Sequence, residues 1–166
     1  MRCGAWLAAA LAIASVEMIS VETGAVETAD AQSAASTLEE FGIIGTWATD
    51  CAQPASTSNY ITIYAVKPSG EVSRTYYDAP GHVLSIYKIT SAKRQARDML
   101  SYEQVWDFAG SPANIAGNRM QVLLNMVDDK YQIVSSQGSD GSFFVKDRKF
   151  PGSGDESPWQ FRCRGK

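Results

Sequence analysis

The sequence predicts an all-β fold, an up-and-down antiparallel β-barrel of about eight or nine strands with a short N-terminal helix. Segments of β-type alternation follow one another at short spacing between residues 46 and 163. Turn residues separate these segments, and no long apolar stretch with a helical period interrupts them. Closing such a meander into a barrel removes the sheet edges that it would otherwise expose.

The first 31 residues have the organisation of a secretory signal peptide. Arg2 precedes a short apolar segment, residues 6–14, that is too short to span a bilayer. Two small-residue motifs are candidate cleavage sites, one ending at Ala14 and a better one ending at Ala31. We therefore expect a signal peptide over residues 1–31 and a bacterial protein that is periplasmic or secreted. The alternative is that residues 15–35 remain as a disordered leader.

Removal of the leader makes the chain electrically neutral. The full sequence has 15 basic and 18 acidic residues, and residues 1–31 contain one of the basic and four of the acidic ones, which leaves 14 of each. A neutral domain lacks the basic surface that attracts nucleic acids and anionic membranes. We expect no nucleic-acid partner and no transmembrane span.

A linker with a short helix is predicted over residues 32–42, and the barrel domain over residues 43–166. Ser36 and Glu39 have the spacing of a capping box, which indicates a helix that begins at Ser36. The mature chain keeps two cysteines, one near each end of the domain, because Cys3 lies in the leader.

An exported protein with an even pair of cysteines predicts a disulfide, here between Cys51 and Cys163. The bridge would close a loop of 112 residues. Chain entropy predicts a stabilisation of roughly 4–5 kcal/mol for a loop of that length. The alternative is a pair of free buried thiols.

Nine strands are predicted between these elements. They cover residues 46–51, 59–66, 71–77, 82–90, 97–107, 119–127, 131–135, 143–146 and 159–163. The clearest alternation lies in residues 119–127, where every second residue is apolar. We expect those four side chains in the core, with a flexible methionine-lined pocket as the alternative: Met120, Val122, Leu124 and Met126.

Polar side chains interrupt two of the predicted inward faces. If Ile61 and Ile63 face the interior, the apolar parity of the neighbouring strands brings Arg74 and Gln104 inward as well. A buried guanidinium needs a partner or a ligand anion. We therefore expect a pocket for a small amphipathic or acidic ligand that is anchored by Arg74 and lined by Tyr76, Tyr102, Gln104 and Trp106. The alternative is a barrel filled by its own side chains, with Arg74 at the rim in water.

Patterns for catalysis and for metal binding are absent from the sequence. His82 is the only histidine, and it follows a Pro-Gly turn. A serine or cysteine nucleophile would need this histidine as its general base, and Cys51 is assigned to the disulfide. No group of His, Cys or carboxylate residues has the spacing of metal ligands. We expect a non-enzymatic protein that uses neither a cofactor nor a metal ion.

Gly45 and Trp47 open the first predicted strand after a short helical segment, and Arg162 lies in the last strand. Together with the strand meander, these residues resemble the calycin superfamily, which comprises the lipocalins and small bacterial relatives. The resemblance covers residues 38–164 and rests on one motif. It implies a barrel whose floor is closed by the indole of Trp47 under the guanidinium of Arg162. It also implies binding of a small hydrophobic or amphipathic ligand.

The domain is shorter than a lipocalin and lacks the Thr-Asp-Tyr type motif, so it resembles a small bacterial relative more closely. Periplasmic inhibitors of secreted metalloproteases also open with Gly-x-Trp and carry one disulfide. They imply an alternative function, a protein-interaction module with a filled barrel. Their disulfide closes a short loop, which counts against this alternative. An interior cavity of a few hundred Å³ beside Arg74 and Trp106 would favour ligand binding.

Overall fold

The computed structural model describes residues 25–107 and 117–164. One helix, α1 (Ala25–Phe41), precedes the strands of this part of the chain. The strands are β1 (Gly45–Ala48), β2 (Ile61–Val66), β3 (Val72–Ala79), β4 (His82–Arg94), β5 (Met99–Trp106), β6 (Arg119–Val127), β7 (Lys130–Gly138), β8 (Phe143–Val145) and β9 (Gln160–Cys163).

Eight of these strands form a closed antiparallel barrel. Strands β1 to β7 pair in chain order, and β9 closes the barrel by pairing with both β7 and β1. The extra strand, β8, pairs with the end of β7 that extends beyond β9. The predicted all-β barrel is confirmed. The barrel has two ends. We call the end where β1 begins the floor and the end where β1 ends the mouth.

The inward face of β2 is the opposite of the predicted one. Thr62 and Tyr64 are buried, whereas Ile61 and Ile63 lie half-buried on the outer face. Tyr64 pairs directly with Arg74 of β3, and directly paired residues share a face of the sheet. Arg74 therefore faces the interior as expected, although the assumption about Ile61 and Ile63 was wrong. The inner side of β2 is occupied by Thr62 and by Tyr64, whose ring packs in the core, so the aliphatic side chains of this strand lie on its outer side.

Helix α1 is longer than predicted. It already includes Ala25, the first residue that the structure describes, so Ser36 lies inside the helix and does not cap its start. The segment is rich in alanine, the residue with the highest helix propensity, which favours extension beyond the expected start. The expected cleavage point after Ala31 lies within this helix, and cleavage there remains a prediction. Within the described residues, we find no helix with the length and apolar character to cross a membrane.

The end of α1 seals the floor. Gly42, with φ of 84°, ends the helix in the left-handed conformation, and its N–H bonds to the carbonyl oxygens of Leu38 and Glu39 at 3.1 and 2.9 Å. Leu38 and Phe41 are buried and belong to the same apolar cluster as the inward-facing residues of the lower barrel. The end of the helix therefore packs against the apolar core at the floor, and its strand contacts are mainly with β4.

The core fills the half of the barrel next to the floor. Besides the helix residues, it contains Ile43, Trp47, Tyr64, Val72, Ile89, Leu100, Tyr102, Val122, Leu124 and Tyr131. Of the four apolar residues predicted for the core in β6, Val122 and Leu124 are fully buried there. Met120 and Met126 are partly buried and pack against the cluster. The other half of the barrel, towards the mouth, is packed differently.

The structure places Arg162 over Trp47 at the floor. The guanidinium carbon lies 4.3 Å from the centre of the indole ring. The indole N–H donates to the carbonyl oxygen of Ile43 at 2.7 Å. Nη1 of Arg162 donates to the carbonyl of Ile44 at 3.0 Å. Gly45 has φ of 136°, and a Cβ there would lie 3.1 Å from Nη1 of Arg162, so the motif needs glycine at this position.

The predicted disulfide between Cys51 and Cys163 is present, with 5.3 Å between the two Cα atoms. Cys51 follows β1 and is exposed, and Cys163 ends β9. Because Arg162 points inward onto Trp47, Cys163 next to it points outward. The bridge therefore ties the first and last strands together on the outside of the barrel, while the Trp–Arg contact joins them on the inside.

Candidate functional site

A cavity of about 460 Å³ occupies the mouth half of the barrel and opens to solvent. Its walls come from β2 to β9 and from loop residues on either side of β8. It ends above the apolar core, where Tyr131 lines its deep end. The volume lies in the range of small-molecule binding sites, about 300–1,000 Å³. The interior is therefore not filled by the protein's own side chains.

Arg74 lies on the cavity wall with 2 % of its surface exposed. Its Nη1 donates to Oε1 of Gln104 at 3.4 Å. Its Nε and Nη2 have no hydrogen-bond partner among the described residues. The alternative prediction, which placed Arg74 at the rim in water, is therefore wrong. Arg74 lies in the third position of β3, well inside the barrel, because its partner Tyr64 is a core residue.

Aromatic rings surround the guanidinium of Arg74. Its central carbon lies 4.4 Å from the ring centre of Tyr76, 5.3 Å from Tyr64 and 5.9 Å from Tyr102. Such cation–π contacts attract the guanidinium but carry no formal negative charge. Arg74 is the only charged side chain among the buried ones in residues 33–107 and 117–164. The barrel interior therefore contains one positive charge without a counterion from the described chain.

Four of the five predicted pocket residues line the cavity, namely Arg74, Tyr76, Gln104 and Trp106. Tyr102 does not line it. Its hydroxyl shares a hydrogen bond of 2.9 Å with the hydroxyl of Tyr64, and its ring packs in the apolar core beneath Arg74. Its inward orientation was predicted correctly, but its position along β5 puts it below the cavity.

The buried tyrosines are neutral and do not act as counterions of Arg74. Burial raises the pKa of Tyr102 to about 12. Burial also raises the pKa values of Tyr64 and Tyr131 well above the ordinary phenol value. For Arg74 itself, burial acts to lower the pKa, but the surrounding tyrosines outweigh it and the pKa is raised. The guanidinium stays charged and the phenols stay protonated near neutral pH.

Further hydrogen-bond donors around Arg74 lack a strong acceptor. Trp106 has a buried indole N–H with no partner among the described residues. The amide Nε2 of Gln104 and the hydroxyl of Ser136 both approach Sδ of Met120, at 3.4 and 2.9 Å. A thioether sulfur is only a weak acceptor. This part of the wall therefore contains several hydrogen-bond donors and few strong acceptors.

One acceptor on the wall is unused. Gln160 donates from Nε2 to Oγ1 of Thr49 at 3.1 Å, and its Oε1 is buried without a partner among the described residues. Gln160 begins β9 and lines the same cavity. The cavity therefore has a donor-rich region at Arg74 and a separate acceptor at Gln160.

The mouth of the cavity combines apolar and charged side chains. Exposed apolar residues border it, namely Tyr60, Leu84, Phe144 and Phe150. Arg119 also borders it and is paired with Glu103. Asp140 accepts hydrogen bonds from the backbone N–H and the hydroxyl of Ser142, and these bonds lower its pKa. The mouth thus holds a carboxylate that is ionised near neutral pH.

The sequence did not reveal several residues of the cavity wall. On β7, Tyr131 and Ile133 face the cavity, but so do Ser136 and Gly138. In a regular strand, odd- and even-numbered residues would point to opposite faces. A register shift in the pairing of β6 with β7, at Val134, changes the parity within the strand. No local signal in the sequence marks this bulge. Tyr87 of β4 has the same parity as Ser85, so its inward position follows from strand alternation.

The described residues contain no arrangement suited to metal binding. Within residues 25–107 and 117–164, no three His, Cys, Asp or Glu side chains lie close enough together to hold a metal ion. His82 is the first residue of β4, and its Nδ1 is 2.5 Å from Oδ1 of Asp78 in β3. Its side chain is 67 % exposed and does not line the cavity.

Comparison with protein-family models, curated proteins and solved structures found no match for this chain.

Proposed function

We propose that this chain is an exported, non-enzymatic β-barrel protein that binds a small hydrophobic or amphipathic ligand in the cavity at its mouth. The observation that carries the proposal is the open cavity of about 460 Å³, with an unpartnered buried arginine on its wall. A binding site of this kind combines apolar walls with a few polar groups that orient the ligand. Tyr76, Tyr87 and Trp106 supply apolar surface, and Arg74 supplies the polar end.

The cavity favours ligand binding over the alternative of a protein-interaction module, because that module requires a filled barrel. The calycin resemblance supports the same proposal through the contact of Arg162 with Trp47. Export is supported by the disulfide between Cys51 and Cys163, since structural disulfides are rare in reducing compartments. It is also supported by the signal-peptide pattern of residues 1–31.

Binding of a neutral fluorescent probe, N-phenyl-1-naphthylamine, tests the proposal. We expect saturable binding of one probe per protein, with the emission shifted to the blue by the apolar walls. Ser136→Trp places an indole in the cavity, since Ser136 is buried on its wall. We expect it to weaken probe binding by at least about tenfold, which corresponds to about 1.4 kcal/mol.

Ser135→Trp is the matched control. Ser135 precedes Ser136 on β7 and does not line the cavity, so the same substitution there leaves the interior unchanged. Circular dichroism establishes that both variants are folded, and Ser85→Trp is a second blocking variant from the opposite wall. Absence of saturable binding to the wild type, or equal binding to the Ser135 and Ser136 variants, would show that the cavity is not the binding site.

A further inference from the structure

We infer that the ligand of this cavity carries a single negative charge, in the form of a carboxylate that docks on the Nε and Nη2 edge of Arg74. The inference rests on the proposed function, and it adds the charge, valence and attachment point of the ligand. Three observations lead to it: the edge of the guanidinium that lacks a partner, the charges in and around the cavity, and the other donors on the wall.

The unpartnered atoms of Arg74 lie on one edge of its guanidinium. Nη1 is used by Gln104, whereas Nε and Nη2 have no partner among the described residues. The N–H groups of Nε and Nη2 point in the same direction, as two parallel donors. A carboxylate places its two oxygens at the matching separation and accepts both bonds at once. Gln104 holds the other side of the guanidinium and so orients this edge.

The charges of the site favour one negative charge on the ligand. A neutral ligand would leave the buried guanidinium of Arg74 without a counterion, and a dianion would introduce a second, uncompensated charge into the interior. At the mouth, Arg119 is already paired with Glu103. Asp140 is ionised there and repels a further anionic group. One carboxylate inside the barrel satisfies Arg74 without adding charge at the mouth.

Other hydrogen-bond donors on the wall can bond to the remaining lone pairs of a carboxylate. An ionised carboxylate accepts hydrogen bonds at about four positions. The indole N–H of Trp106 has no partner among the described residues, and Gln104 and Ser136 donate only to the sulfur of Met120. An oxygen anion is a much stronger acceptor than a thioether. The polarity of this wall therefore matches an anion and not a ligand group that donates hydrogen bonds.

Matched pairs of probes test the inference by calorimetry near neutral pH. The first pair is naphthalene-2-carboxylate and naphthalene-2-carboxamide, and the second is decanoate and decanamide. We expect each carboxylate to bind at least about tenfold more tightly than its amide. We expect 2-naphthyl phosphate, a dianion of the same ring, to bind more weakly than the naphthalene carboxylate. Equal affinity of carboxylates and amides for the wild type would overturn the inference.

Arg74→Met removes the charge and keeps most of the volume of the side chain. We expect it to abolish the preference for carboxylates, because the carboxylates lose a charge-assisted contact whereas the amides lose at most a weaker hydrogen bond. Arg97→Met is the matched control, because Arg97 is exposed in the turn between β4 and β5 and does not line the cavity. We expect the preference to survive in that variant. A carboxylate preference that persists in a folded Arg74→Met protein would contradict the inference.

Arg74→Lys keeps the positive charge but lacks the two-donor edge. It provides a second test of the inference if Arg74→Met does not fold. We expect a reduced carboxylate preference in Arg74→Lys, since a single ammonium cannot hold both oxygens in the same way. An undiminished preference would contradict the bidentate contact. If the amides and the neutral naphthylamine bind in the cavity but the carboxylates bind no more tightly than the amides, only this inference fails. If no probe responds to Ser136→Trp, the proposed function fails as well.

Discussion

At the scale of single residues, two arginines on inward faces have opposite roles. Arg162 at the floor is fully engaged: it stacks on Trp47 and donates to the carbonyl oxygens of Gly42 and Ile44. Arg74 in the cavity has one protein partner and two unpartnered nitrogens. The first arrangement stabilises the closed floor. The second leaves hydrogen-bonding capacity that a ligand can use.

Arg162→Met tests the structural role of the floor arginine. We expect the free energy of unfolding to fall by about 2–4 kcal/mol, because two charge-assisted hydrogen bonds and the cation–π contact are lost. Arg164→Met is the control, since Arg164 is 78 % exposed and pairs only with Asp129 at the surface. We expect a loss below about 1 kcal/mol there. Urea unfolding measures both values, and similar losses in the two variants would contradict this account of the floor.

At the scale of secondary-structure elements, the barrel is closed where its last strand meets its first. Strand β9 pairs with β1, and the disulfide between Cys51 and Cys163 joins the same two strands on the outer surface. The strand pair is short, with four residues in each element. A covalent link is therefore a large part of what keeps the final strand in place.

Replacement of both cysteines by alanine is expected to lower the free energy of unfolding by roughly 4–5 kcal/mol, the chain-entropy value for a loop of 112 residues. The double variant avoids leaving a single reactive thiol. Chemical denaturation in the absence of reductant gives the value. A wild-type protein whose mass does not increase by two hydrogens on reduction would show that the bridge is not formed.

The strand pattern could be predicted from the sequence, but parts of the inner surface could not. Alternation in β6 placed Val122 and Leu124 in the core correctly, because one face of that strand is uniformly apolar. Alternation in β2 misled, because Tyr64 packs in the core and Thr62 lines the cavity while Ile61 lies on the outer wall. Interior polarity depends on how strands pair, and this information is not local.

The candidate site was predictable to a similar extent. Arg74 and Gln104 were named because a polar residue on an apolar face stands out in a single strand, and Tyr76 and Trp106 because they share the parity of those residues; all four line the cavity. Ser136 was missed because the predicted strand ended at residue 135 and the sequence does not mark the bulge in β7, and Gln160 was missed because its strand is short. The two unpartnered nitrogens of Arg74 depend on side-chain geometry. They are visible only in the folded structure.

At the scale of the whole molecule, the barrel is closed at one end and open at the other. Helix α1, Trp47 and Arg162 fill the floor, and the apolar core lies directly above them. The cavity lies between this core and the mouth. The core thus gives stability at one end while the other end keeps room for a ligand. The layer of buried tyrosines separates the two halves, with Tyr102 and Tyr64 beneath Arg74.

This tyrosine layer predicts a loss of stability at alkaline pH. Burial raises the pKa of Tyr102 to about 12, so the folded state holds the phenol proton more tightly than the unfolded chain does. The resulting stabilisation is complete below about pH 10, the value of an exposed phenol. It is lost as the pH rises through the folded-state pKa. For Tyr102, the free energy of unfolding is expected to fall by roughly 2–3 kcal/mol.

Urea unfolding between neutral and strongly alkaline pH measures this loss. Tyr102→Phe is expected to reduce the pH dependence, and Tyr60→Phe, at an exposed position, is expected to leave it unchanged. The tyrosinate absorbance of the wild type should show three of the seven tyrosines ionising late, namely Tyr64, Tyr102 and Tyr131. Simultaneous ionisation of all seven in the folded protein would refute the buried layer.

The central claim is that the barrel cavity binds a ligand whose carboxylate contacts Arg74. A crystal structure of the full protein with naphthalene-2-carboxylate tests it most directly. We predict the ring against Trp106 and the two carboxylate oxygens about 2.7–2.9 Å from Nε and Nη2 of Arg74. A probe bound only on the outer surface, or one inside the barrel with its carboxylate turned away from Arg74, would contradict the account.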